Sequence, residues 1–203
     1  MDDLLRDELL RREERDQQAR RAAEGDPEVM LAVDAENLPW LKQVVAQHGW
    51  PTRSMVGEEA SQAAWLLVQH ADRDPAFQRH CLDLLTVAAA HGEARQQDVA
   101  YLTDRVSLAE GRPQEYGTQV AARDGQWVPR RLRDQDTVDD RRAAVGLEPL
   151  ADYLTRFGDP RPNTLPCRAC GTPIEFWTPE SGERVHVACP GCDWSTTLSL
   201  EVT

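Results

Sequence analysis

Over the first 110 positions apolar residues recur at intervals of three and four, the period of amphipathic helices. Residues 2–23 are charged almost throughout, with a thin apolar seam through Leu5, Leu9 and Leu10. GDPE at 25–28 breaks that helix, and Asp26 is placed to cap the next one with Pro27 at its first position. The second helix is expected to reach His48, with an irregularity before Pro39, and to stop at Gly49 and Trp50-Pro51. GEEASQAAWLLVQHAD at 57–72 predicts a helix from Gly57 to about Ala71. Asp74-Pro75 opens another that ends at His91-Gly92, and a further one covers about 96–110. Beyond Gly111 the pattern changes: YGTQVAARDGQWVPRRL reads as a β-hairpin with Asp124-Gly125 at its turn. Short helices follow, one capped by Asp136 or Thr137 and running through Val145, one from Pro149 to Phe157. GDPRPNTLP at 158–166 is a linker by composition. The expected fold is therefore a mostly α, multi-helix domain with a small hairpin over 1–157, then a small β unit over 167–203.

Six tryptophans and 40% apolar residues support a packed core. No apolar run approaches the ~18–20 residues needed to span a bilayer, and the N-terminus lacks the pattern of a secretory signal. No membrane association is expected, and the cytoplasm is the expected location. Net charge is −12, and the densest basic stretch, RRLRD at 130–134, runs straight into DQDTVDD. Duplex nucleic acid is bound mainly through cations that neutralise phosphates, so nucleic acid is a disfavoured partner.

Five cysteines change the picture. Cys81 lies among Phe77, Leu84, Leu85 and Ala88 at helical spacing and reads as a small buried hydrophobe. The others form two pairs, Cys167-x2-Cys170 and Cys189-x2-Cys192, eighteen residues apart. Paired cysteines without a secretory signal point to metal rather than disulfides. Two thiolates from each turn can converge on one tetrahedral Zn²⁺. IEFW and RVHV flank TPESGE and read as a hairpin, with WSTTLSLEV as a third strand. This tail resembles the zinc ribbon family. Four cysteine ligands leave no open coordination position, so the expected zinc is structural, stapling a core too small to fold alone. His186, alternating with Val185 and Val187, is expected to face solvent. The tail's surplus of carboxylates favours a protein partner over phosphates.

The helix at 57–72 carries candidate chemistry. On a wheel of 100° per residue Ala60, Ala64, Leu67, Val68 and Ala71 share the core side, while Glu58, Gln62, Gln69 and Asp72 oppose it. Glu59 and His70 share a flank, but eleven residues at 1.5 Å rise is about 16 Å, too far for one metal ion or one proton relay. No HExxH pair occurs in the chain, and no ExxH pair occurs in its helical region. Taken alone, this helix reads as a core helix with a polar rim; a metal site assembled from His48, His70 and His91, which lie at or near helix ends, is the disfavoured alternative.

HGWPTRSMVGEEASQAAWLLVQHAD, DVAYLTDRVSLAEG, GRPQEYGTQ and VDDRRAAVGLEPLADYL, in that order, resemble a bacterial family of unknown function over about residues 1–157. The resemblance implies no reaction, and the zinc ribbon looks like an addition to it. It draws attention to three polar stretches: Gln69, His70 and Asp72; Tyr101, Asp104 and Arg105; and Gln114, Tyr116, Thr118 and Gln119. Converged, these would bind a polar small molecule, with Glu59, Gln69, Tyr101, Gln114, Tyr116 and Gln119 as ligand-binding residues. They would also allow acid/base chemistry, with His70 paired to Asp72 or Asp104 and Arg105 clamping an anion. No nucleophile elbow and no phosphate-binding glycine loop names an enzyme class. The expected function is an intracellular zinc-binding adaptor with a polar-ligand site. A hydrolase-like enzyme is the alternative, and nucleic-acid binding through the ribbon comes third.

Overall fold

The computed structural model describes residues 2–22, 27–177 and 184–199. The GDPE break with its Asp26 cap and the TPESGE turn fall largely outside these residues, as does the end of the last strand. Helix α1 (Asp3–Ala22) starts where Asp2 accepts the Leu5 amide at 3.0 Å, and it turns Leu5, Leu9, Asp16 and Ala19 inward. Helix α2 (Pro27–His48) continues through Pro39, whose missing N–H removes one bond of the ladder, where an irregularity was expected. A short α3 (Arg53–Val56), absent from the periodicity, fills the gap before Gly57. Gly57 takes φ 85, a left-handed value that favours glycine, and joins α3 to α4 (Glu58–Gln69).

Helix α5 (Pro75–Ala90) is capped by Asp74, which accepts the Phe77 amide at 2.9 Å, and α6 (Gln96–Ala109) packs against it. These helices enclose one core, including Leu9, Leu41, Val56, Leu67, Val68, Cys81, Leu85, Leu102 and Val106. Cys81 is fully buried there, and burial pushes its thiol up to about 12.

The hairpin forms as expected. β1 (Val120–Arg123) pairs antiparallel with β2 (Gln126–Pro129) about Asp124 and Gly125, both at positive φ. With α7 (Val138–Ala144) and α8 (Leu150–Thr155) it closes a second, smaller core of Val138, Leu150 and Tyr153. No helix among the described residues is long and apolar enough to cross a membrane.

The tail pairs differently from the expectation. β3 (Asn163–Pro166), drawn from the Pro-rich stretch, pairs with β4 (Pro173–Phe176), and β5 (Arg184–Ala188) pairs with β6 (Ser195–Ser199). Each CxxC therefore sits in the turn of its own hairpin, whereas the IEFW and RVHV strands belong to different hairpins. The reason lies in the turns: Cys167 N–H bonds Thr172 O, and Cys189 N–H bonds Trp194 O, which closes each hairpin around its own cysteine pair.

Candidate functional site

Ile174 and Val187 are the buried apolar residues of the ribbon core, together with Cys167 and Cys189. The cysteine sulfurs stand 3.7 Å apart for Cys167 and Cys192 and 3.5 Å apart for Cys170 and Cys189. A tetrahedral ion with bonds of ~2.3 Å has an edge of about 3.8 Å, and a disulfide needs about 2.05 Å. The sulfurs therefore have the spacing of metal ligands, and all four lie within 4.8 Å of one another. Backbone N–H groups of Ala169 and Gly191 donate to Cys167 and Cys189 sulfur at 3.4 and 3.3 Å, as suits thiolates. A Cβ at Gly191 would lie 2.7 Å from Thr172 Oγ1, so the close approach of the two turns excludes a side chain there. His186 is exposed on β5.

In the helical domain a charged cluster forms where α1, α2 and the end of α4 meet. Helix α4 stops two residues before the expected Ala71, because its last amides bond three residues back, from His70 to Leu67 and from Ala71 to Val68. His70 thereby becomes the C-cap. Its Nδ1 lies 3.1 and 3.0 Å from the two carboxylate oxygens of Asp16. Arg20 donates from Nε to the same Nδ1 at 2.9 Å, to both Asp16 oxygens, and from a terminal nitrogen to Asp34 at 2.6 Å. Asp16 is 1% exposed. Burial acts to raise its pKa, but hydrogen bonds from His70 and Arg20 outweigh that and bring it below the usual range. Asp34 moves the other way: burial, aided by Asp16 and Asp72, raises it against Arg20 and His70.

The other expected residues fall into separate places. Asp72, beside the cluster, is held by Arg105 at 2.7 and 2.8 Å, and its Oδ1 also accepts from Gln78 at 3.1 Å. Gln69, on the polar side of the wheel, is buried, and its Nε2 has no hydrogen-bond partner among the described residues. Helix α6 covers that side of α4, where Gln62 donates to Asp98 and Trp65 to the Asp98 carbonyl. Tyr101 packs edge-on between Trp65 and Tyr153. Glu59 lines a groove of about 410 Å³ with Glu13, Glu58 and Trp65.

Asp104 is fully buried and accepts from the amides of Glu115, Tyr116 and Thr118 and from the Thr118 hydroxyl at 2.8–3.0 Å. Gln114 donates to the carbonyls of Gln119 and Arg130 and accepts the Gln119 amide, so this loop is built around its own polar side chains. Tyr116 offers its carbonyl to the buried Arg142 at 2.7 Å. Every side-chain hydrogen bond described for Asp104 goes to this loop, and those of the His70 ring go to Asp16 and Arg20. His91 bonds the Val87 carbonyl and His48 is exposed; among the described residues no cluster unites these two with His70.

Asp16, Arg20 and Asp34 were missed by sequence reasoning. A signal existed: Asp16 continues the Leu5–Leu9 seam seven residues on, and Asp34 precedes buried Leu41 by seven. A carboxylate on an apolar seam must find a partner. Comparison with curated proteins finds no match, and neither does comparison with solved structures. A family model for a family of unknown function, DUF6624, matches residues 3–161, which take in both the charged cluster and the hairpin; the chain belongs to that family.

Proposed function

We propose that this is an intracellular zinc-containing binding and adaptor protein. Its ribbon holds one Zn²⁺ as a structural staple through Cys167, Cys170, Cys189 and Cys192. Its helical domain binds a small polar ligand at the charged cluster around His70. The observation that carries this reading is the meeting of His70, Asp16, Arg20 and Asp34 from three helices, with Asp16 1% exposed. An ordinary surface ion pair would not justify burying a carboxylate so completely. Protein is the favoured partner of the ribbon, since a Zn(Cys)₄ centre adds negative charge to a chain already at −12.

The ligand reading is tested by thermal-shift measurements on the zinc-loaded chain and on His70→Ala, with a panel of carboxylic acids, amino acids, sugars and sugar phosphates. One chemical class is expected to raise the melting temperature of the native chain and leave His70→Ala unmoved. A panel that shifts both proteins alike, or neither, refutes the reading.

A second reading, acid/base catalysis, is favoured by one observation: a buried carboxylate lies 3.0 Å from Nδ1 of His70. That arrangement orients an imidazole so that Nε2 can exchange protons with a bound molecule. In this reading Asp16 takes the orienting place first given to Asp72 or Asp104.

A further inference from the structure

We propose that Asp16, Asp34 and His70 form a second metal site, separate from the cysteines, that takes a divalent cation such as Mn²⁺, Fe²⁺ or Zn²⁺. Arg20 holds the cation's place when no ion is bound. The proposal deepens the reading of the His70 cluster as a ligand site and rests on it.

One ligand atom from each of the three residues lies within 4.8 Å of the others. Bonds of ~2.1 Å to a common ion would set donors about 3.0–3.4 Å apart at adjacent positions. Asp16 and His70 already stand 3.0 Å apart, and Asp34 has to draw in to complete the set. The donors belong to α1, α2 and the C-cap of α4, and their side chains are 1%, 13% and 16% exposed, so this is an interior site rather than a surface acidic patch.

The His70 ring supplies a sharper argument. Its Nδ1 stands 2.9 Å from an N–H of Arg20 and 3.0 Å from a carboxylate oxygen of Asp16. With a lone pair on Nδ1, the ring accepts from Arg20 but sets that lone pair against the carboxylate. With a proton there, it donates to Asp16 but confronts the guanidinium. Neither tautomer satisfies both neighbours. A metal ion at that point needs the lone pairs of imidazole and both carboxylates together, and it satisfies all three at once.

Charge points the same way. Asp16, Asp34 and Asp72 gather here against Arg20 and Arg105. The cluster is short of positive charge, and a divalent ion supplies more than the guanidinium does.

Two carboxylates and one imidazole suit Mn²⁺, Fe²⁺ or Zn²⁺, whereas four thiolates suit Zn²⁺ over the harder Mn²⁺. Three protein ligands also leave coordination positions open, through which a polar small molecule can bind.

The test is a Mn²⁺ titration of the zinc-loaded, full-length chain, with free Mn²⁺ read by electron paramagnetic resonance. The native chain is expected to bind one Mn²⁺. Asp34→Asn and His70→Ala are expected to weaken binding at least tenfold with helical circular dichroism unchanged. Arg20→Gln, which removes the competing cation, is expected to tighten it several-fold, an effect that no loss of folding can imitate. A native chain that binds no Mn²⁺, and no Zn²⁺ beyond one ion per chain, overturns the proposal. Tight binding that Arg20→Gln does not strengthen overturns the place-holding role of Arg20. If metal binding fails while the small-molecule panel still separates the native chain from His70→Ala, the metal site falls and the polar-ligand site stands.

Discussion

Asp16 and His70 are 54 residues apart in the chain, yet the buried Asp16 carboxylate and the His70 Nδ1 stand within 3.0 Å. The contact ties the middle of α1 to the end of α4, and Arg20 extends it to α2. Removing the carboxylate takes away the acceptor that the guanidinium and the imidazole share and leaves Arg20 with Asp34 alone. Asp16→Asn is expected to lose about 2–4 kcal/mol of stability. Urea unfolding followed by circular dichroism checks this, as a lower midpoint with an unchanged slope. A loss below about 0.5 kcal/mol contradicts the account.

Asp104 organises the loop that follows α6. It accepts four hydrogen bonds from residues 115–118, so Asp104→Ala leaves three amides and a hydroxyl without their acceptor. The expected cost is about 3–5 kcal/mol. Hydrogen exchange should locate the damage, with protection lost first at Glu115, Tyr116 and Thr118 while α4 and α5 keep theirs. Uniform loss across the helical domain refutes a local role.

Glu110 supplies a pH dependence with a definite sign. Hydrogen bonds from Arg79 and then Arg112 hold its carboxyl down at about 2, against an ordinary value of 4.5. A lowered carboxylate contributes stability above its unfolded value and loses it as pH falls through the folded value. The window is therefore about pH 4.5 down to about pH 2. Because the side chain is 37% exposed, solvent screening limits the effect to under about 1 kcal/mol. Glu110→Gln should flatten the acid limb of a stability–pH curve in that window and leave neutral stability within about 1 kcal/mol of the native chain. An unchanged acid limb disproves the assignment.

Chelation should separate the two parts of the chain. The ribbon core rests on Cys167, Ile174, Val187 and Cys189, too little to fold without a metal staple of the kind proposed. A strong chelator is expected to abolish exchange protection in β3, β4, β5 and β6 and to leave the helical circular dichroism in place. Thiol labelling adds a second readout: the ribbon cysteines should react once the metal is removed, while Cys81, buried and pushed up to about 12, should react only after the helices unfold. Early labelling of Cys81 counts against the packing described.

Much of this molecule was legible in local chemistry. The helices over 58–69, 75–90 and 96–109 follow from apolar spacing and from stop signals such as His91-Gly92. Asp124-Gly125 supplies the two positive φ values of the hairpin turn. The cysteine spacing alone brought the metal-ligand set into view, because two chelating turns need only short-range geometry. These features depend on residues within a few positions of one another, which is the range over which a sequence constrains its own backbone.

Tertiary packing decided the rest. A helical wheel places Gln69 opposite the core, yet Gln69 is buried, with Gln78 of α5 donating to its carbonyl and Gln62 and Trp65 meeting Asp98 of α6 on the same side. Asp104 and Arg105 are adjacent in sequence and serve different ends, the first closing the 115–118 loop and the second pairing with Asp72. Asp16, Arg20 and Asp34 carry no motif of their own. Their meeting with His70 depends on how α1, α2 and α4 pack together, and no periodicity within a single helix encodes where a second helix will lie.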